Sequence, residues 1–171
     1  MKIDPTKSLN SYYSVYGNYR SVYDDVMSWF GATRLGCVAF LTTAMRHVEI
    51  EIPQEGTING KGISINTEGF ESYLKNVLKW TVYVDAADQL RPGDVVITQD
   101  REGYIGHPDH VYMFHQWLDQ NEGIALVIDN QLNTEKDFIH PRNIVGNHIN
   151  NVRTSYTPYA RHYRCPSAES S

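Results

Sequence analysis

A chain of 171 residues, 41% hydrophobic and 20% charged, is long enough for one ordinary core and short for two domains. Its formal net charge of −5, with no block of like charge, argues against a nucleic-acid partner or a binder of acidic surfaces. Two cysteines make no disulfide framework, the N-terminus has no apolar signal segment, and no apolar run approaches the ~20 residues of a membrane span. The expectations are therefore synthesis in the cytoplasm without a signal peptide, and no membrane span.

Residues 1–18 read as a polar lead-in rich in Tyr and Ser. From Tyr19 to Phe30 the apolar residues Tyr19, Val22, Tyr23, Val26, Met27 and Phe30 recur at helical spacing, with Ser21 as a cap and Gly31 as the stop. A second helix is expected from Cys37 to His47. Residues 50–67 carry three Gly and one Pro and read as a loop with a short hairpin around Asn59-Gly60. This loop is either a wall of a cleft beside the second helix or a peripheral hairpin packed on the helices. A third helix is expected from Glu68 to Lys79, with Phe70, Tyr73, Leu74, Val77 and Leu78 inward.

After that the apolar period becomes two. Strands are expected at 80–84, 95–97, 110–117 and 124–129, with a last one within 156–164. A turn of helix falls at 86–90, a tight turn at Arg91-Pro92-Gly93-Asp94 and a hairpin turn at 119–123. Helices first and an antiparallel sheet after is an α+β order, with one domain over 19–164 and a flexible tail at 165–171.

Three residues stand out in this frame. Cys37 follows the small turn Thr33-Arg34-Leu35-Gly36 and opens an apolar helix. A thiol there meets the positive end of the helix dipole, which favours thiolate. His110 starts a strand, and Asp129 ends the next one. Together they have the composition of a nucleophile, a general base and an orienter of the base. A buried, inert cysteine is the plain alternative for Cys37 alone. The backbone N–H of Cys37 is one oxyanion donor, and Tyr23, Thr33 and Arg34 are candidates for the second. Strand alternation puts Asp129 and Gln131 on one face and Asn130 on the other, so Gln131 is an alternative orienter if the strand persists, and Asn130 is another because the run after Asp129 is short. A metal site on His107, His110 and His115 is disfavoured, because His107 and His110 flank a proline and four tightly spaced ligands are missing.

The segment Leu90-Arg91-Pro92-Gly93-Asp94-Val95-Val96, the pair His110-Val111 and the run Ile128-Asp129-Asn130-Gln131 resemble the NlpC/CHAP branch of papain-like cysteine hydrolases. Over about Tyr23 to Gln131 they look like that family's Pro-Gly-Asp strand start, its catalytic His-Val and its acid followed by an amide. The chain departs from the family after the cysteine, where Val38-Ala39 replace the usual Ser-Gly or Thr-x-Tyr. The resemblance implies a papain-like fold with the nucleophile at a helix start and N-terminal helices packed on an antiparallel sheet. It implies hydrolysis of peptide or amide bonds in the peptidoglycan stem, without cofactor or metal. Deamidation or acyl transfer at the same site, or a non-catalytic binding module of the same fold, are the alternatives. The size and missing signal also look like amidase effectors of type VI secretion, which implies export by a dedicated system and an immunity or inhibitor protein as partner.

Overall fold

The computed structural model describes residues 4–99, 108–131, 134–145, 155–156 and 160–166, and in it helix begins earlier than expected. Helix α1 (Pro5–Tyr13) starts at Asp4, whose carboxylate accepts from the N–H groups of Thr6 and Lys7 at 2.9 and 3.3 Å, with Pro5 at its first position. Thr6, Leu9 and Tyr13 lie on one helical face and are buried, so the expected lead-in is part of the core. Helix α2 (Tyr16–Trp29) begins after Val15, which donates no side-chain cap. Ser21 is not a cap but lies inside the helix, its hydroxyl donating to the Gly17 carbonyl at 3.2 Å. Gly31, at φ +82°, ends the helix as expected. Helix α3 (Cys37–His47) is buried at every residue from Val38 to Met45, which makes it the central helix.

The loop after α3 carries a two-residue hairpin, β1 (Thr57–Ile58) and β2 (Lys61–Gly62), turned by Asn59 and Gly60 at φ +51° and +73°. Helix α4 (Thr67–Asn76) follows, capped by Asn66, which accepts from Glu68 and Gly69 N–H at 3.0 and 3.1 Å. Val77, expected inward, lies past the end of the helix and is 52% exposed. The hairpin packs on α4 so closely that a Cβ at Gly69 would lie 2.4 Å from the Gly62 carbonyl oxygen. Arg46, in the last turn of α3, donates to Ser64 at 3.1 Å. Cys37 opens the opposite end of this 11-residue helix, about 14 Å away along its axis. Residues 50–67 are therefore the peripheral hairpin, not a wall beside Cys37.

The sheet strands are β3 (Thr81–Val84), β4 (Val95–Gln99), β5 (Pro108–Asp119), β6 (Ile124–Ile128), β7 (His140–Asn143), β8 (Ser155–Tyr156) and β9 (Arg161–Arg164). Their order is β3-β9-β4-β5-β6-β7-β8, antiparallel throughout except for the β7–β8 pair. The architecture is thus mixed helix and sheet, in the α+β order. Alternation divides the central strands between two clusters. Val95, Ile97, Val111, Met113 and Ile128 join the helices in the main core, while Val96, Tyr112, Phe114, Ala125 and Val127 form a second cluster. The start of β5 and the end of β6 lie at the same end of the sheet. Among the described residues no helix is long and apolar enough to cross a membrane.

One buried ion pair locks the last strand in place. Arg164 on β9 holds both oxygens of Asp94 at 2.8 and 2.6 Å and donates to the Gln89 carbonyl at 2.8 Å. Asp94 belongs to the turn in which Gly93 takes φ +95° and Asp94 N–H returns to the Arg91 carbonyl at 3.0 Å, the geometry of a type II turn. The Cys165 N–H donates to Thr6 Oγ1 at 3.1 Å and so ties the same strand to α1. Arg164→Met leaves the Asp94 carboxylate buried without its main partner and is expected to cost about 3–5 kcal/mol. Urea denaturation at neutral pH measures this, and an unchanged midpoint would contradict it.

Candidate active site

The turn before α3 sets the position of Cys37. Gly36 N–H returns to the Thr33 carbonyl at 3.1 Å, and Leu35 sits at φ +58°, a left-handed conformation that costs a branched residue about 1–2 kcal/mol. A Cβ at Gly36 would stand 2.9 Å from the Thr33 carbonyl oxygen and 3.1 Å from that of Ala32, so only glycine fits without displacement. Gly36 also caps α3 without a side chain, whereas Asp4 and Asn66 occupy first-turn N–H groups of α1 and α4. The half-exposed Cys37 thus stands at a helix start whose amides no cap side chain fills, at the positive end of the dipole.

His110 reaches this thiol from β5, where it pairs across the ladder with Thr98. Its Nε2 lies 2.9 Å from Asp129 Oδ2, and the Cys37 side chain stands near enough to the same ring to raise its titration. Burial alone would lower the pKa of this imidazole. The hydrogen bonds to Asp129 and to Cys37, with the Asp129 charge, outweigh burial and raise it to about 9. At neutral pH His110 is therefore an imidazolium.

Asp129 follows the last residue of β6, and its side chain is fully buried. Oδ2 accepts from His110 and, at 2.9 Å, from Arg142 Nη2, while Oδ1 accepts the Gln131 N–H at 2.9 Å. His140 Nε2 stands 3.4 Å from Oδ1, within ion-pair distance but without hydrogen-bond alignment. Burial would push the Asp129 carboxyl up. The His110 hydrogen bond and the neighbouring His140 imidazole hold it well below the usual carboxylate range. Its backbone carbonyl accepts the Tyr19 hydroxyl of α2 at 2.9 Å.

The other candidates divide. Asn130 Nδ2 donates to the Thr33 carbonyl at 2.7 Å, so Thr33 enters the site through its backbone. Gln131 Oε1 accepts from Arg142 Nη2 at 2.7 Å. The strand ends at Ile128 and residues 129–131 form a turn, so the expected strand-face alternation does not apply; Arg142 instead joins Asp129 to Gln131. Tyr23 stacks edge-on against Phe40 and lies under the Arg20 guanidinium, and Arg34 is exposed. His107 lies outside the described residues. His115 is drawn to α1, where Nδ1 bonds Asn10 Oδ1 at 2.8 Å. Among the described residues no group of three or more His, Cys, Asp or Glu side chains is placed to hold a metal ion. Cys37 and Cys165 form no disulfide.

Searches against protein families, curated proteins and solved structures found no match. The reading of the site therefore rests on its own geometry.

Three site residues escape a sequence reading: Tyr19, His140 and Arg142. Tyr19 is legible as a core residue but not as a donor to a carbonyl 110 positions away. His140 and Arg142 lie on β7 opposite Val127 and Ala125, and both are almost fully buried. The strand His140-Pro141-Arg142-Asn143 turns its polar residues inward, so apolar alternation, the usual strand signal, is absent. Chemically, the arrangement places a thiol beside an imidazole that is hydrogen-bonded to a buried carboxylate. It can supply a nucleophile, transfer one proton and hold the ring that transfers it.

Proposed function

We propose that the chain is a papain-like cysteine hydrolase, of the NlpC/CHAP kind, that cleaves peptide or amide bonds of the peptidoglycan stem. The observation that carries this reading is the connected chain Cys37–His110–Asp129, assembled from a helix start and the ends of two neighbouring strands.

The mechanism follows from the proton inventory. The Cys37 thiolate adds to the scissile carbonyl carbon, and the carbonyl electrons move to oxygen. First-turn N–H groups of α3, that of Cys37 foremost, stabilise this oxyanion. The His110 imidazolium gives its proton to the departing amine as the C–N bond breaks, leaving a thioester on Cys37. The now neutral His110 takes a proton from water, whose hydroxide attacks the thioester. Collapse releases the carboxylic acid and restores the thiolate–imidazolium pair. Asp129 stays ionised throughout and holds the ring with Nε2 toward itself and Nδ1 toward sulfur.

Digesting purified peptidoglycan and identifying products by mass spectrometry tests the substrate class. The expected products carry a new amine and a new carboxyl within the stem peptide. Intact stems under conditions where Cys37 is fully reactive would remove peptidoglycan as the substrate.

The pH dependence has a definite sign. His110 titrates higher in the folded chain, at about 9, than the ~6.5 of a free imidazole. Its contribution to stability is complete below about pH 6.5 and is lost as pH rises through 9. The proton needed by the leaving amine disappears over the same range, so kcat/KM is expected to fall with a midpoint near 9. A fall centred near pH 6.5 would show that Asp129 and Cys37 do not hold the imidazolium.

A further inference from the structure

Asp129, Asn130 and Gln131 each grip a different part of the site. Asp129 holds His110, Gln131 accepts from Arg142, and Asn130 reaches across to the turn that precedes the nucleophile. We infer that Asn130 is a positioning residue that holds the Thr33–Gly36 turn, and through it Cys37, at a fixed distance from His110. This inference rests on the Cys37–His110 reading of the site.

The orientation of the amide is decided by chemistry. The Thr33 carbonyl can only accept, so the Asn130 NH2 group faces it and Oδ1 points away. That oxygen is buried and has no hydrogen-bond partner among the described residues. The Thr33 carbonyl is also the one that closes the turn by accepting Gly36 N–H at 3.1 Å. The turn it closes contains left-handed Leu35 and crowded Gly36, a conformation that relaxes unless its surroundings impose it. Asn130 imposes it from outside, at 2.7 Å. Because Asn130 is covalently next to Asp129, one peptide unit spans from the support of the imidazole to the support of the thiol. Asn130 is thus neither the oxyanion donor nor the orienter of His110: its donor group is already committed to Thr33.

Asn130→Leu keeps the approximate size while removing both the donor and the orphaned acceptor. It is expected to leave the urea midpoint nearly unchanged. Alkylation of Cys37 by iodoacetamide slows, and kcat falls, on the order of 10–100-fold with KM little altered, the loss expected from misplacing one reactant. The His110 titration, followed by NMR, moves below its wild-type value as the thiolate withdraws. Asn130→Ala is the second variant, read in the same way if the leucine is not accommodated. Wild-type alkylation, kcat and His110 titration in a folded Asn130 variant would overturn the inference. Failure of the underlying reading looks different: wild-type Cys37 itself then alkylates no faster than Cys165, before any variant is made, and the inference falls with it.

Discussion

Cys37→Ala is expected to abolish turnover while leaving the fold intact. No other group on the described chain stands at the helix start beside His110, so the acyl-enzyme route is lost entirely. The reduction in kcat/KM should be on the order of 10⁴-fold or more, the scale seen when a covalent nucleophile is removed. The fold survives because α3 is held by its buried run from Val38 to Met45, while Cys37 itself is half-exposed. Alanine also suits the first position of a helix. Circular dichroism and product release from peptidoglycan give the two readouts. His110→Ala should lose nearly as much, because nucleophile and base act as a unit. Retained hydrolysis in folded Cys37→Ala would falsify the covalent mechanism.

Asp129→Ala should be costly in two ways at once. The carboxylate accepts from His110, Arg142 and the Gln131 N–H, and its loss leaves Arg142, which is 2% exposed, with the neutral Gln131 amide in place of a counter-charge. A buried cation deprived of its partner costs about 3–5 kcal/mol, so the urea midpoint should drop well below wild type. Activity should fall on the order of 10²–10⁴-fold, because the imidazolium loses both its orientation and its counter-charge. Asp129→Asn keeps the shape and one acceptor and is expected to lose less of each. The acid side follows from the depressed titration of this carboxyl. Its contribution to stability is complete above about pH 4 and is lost progressively as the pH falls further. Full activity in Asp129→Ala, with loss in Gln131→Ala, would move the orienting role to the amide.

These contrasts show which features a sequence can reveal. Cys37, His110 and Asp129 could be brought into one neighbourhood because each sits where an apolar period begins or ends. A Gly-Cys turn before an apolar run marks a helix start, and alternation marks β5 and β6. Helix α1 was hidden by composition: nine residues with only Leu9 and two tyrosines as large apolar groups read as polar, although three of them are buried. Strand β7 was hidden by inversion, since its inward residues are His140 and Arg142 rather than aliphatics. The placement of β9 between β3 and β4 depends on Arg164 finding Asp94 across 70 residues, and alternation carries no information about strand order. The same limit applies to Asn130. Its partner Thr33 is 97 residues away, and strand-face counting assigned it to the wrong geometry because the strand stops at Ile128.

The central claim is that Cys37 and His110 act together as nucleophile and proton donor, and the rate of iodoacetamide alkylation at neutral pH tests it most directly. Mass spectrometry resolves labelling at Cys37 from labelling at Cys165 in the same folded protein. The account predicts that Cys37 reacts faster than Cys165 at neutral pH, because it stands beside His110 at a helix start that no cap side chain fills. His110→Ala should remove that advantage. A Cys37 that reacts no faster than Cys165 and is indifferent to His110→Ala would contradict the account.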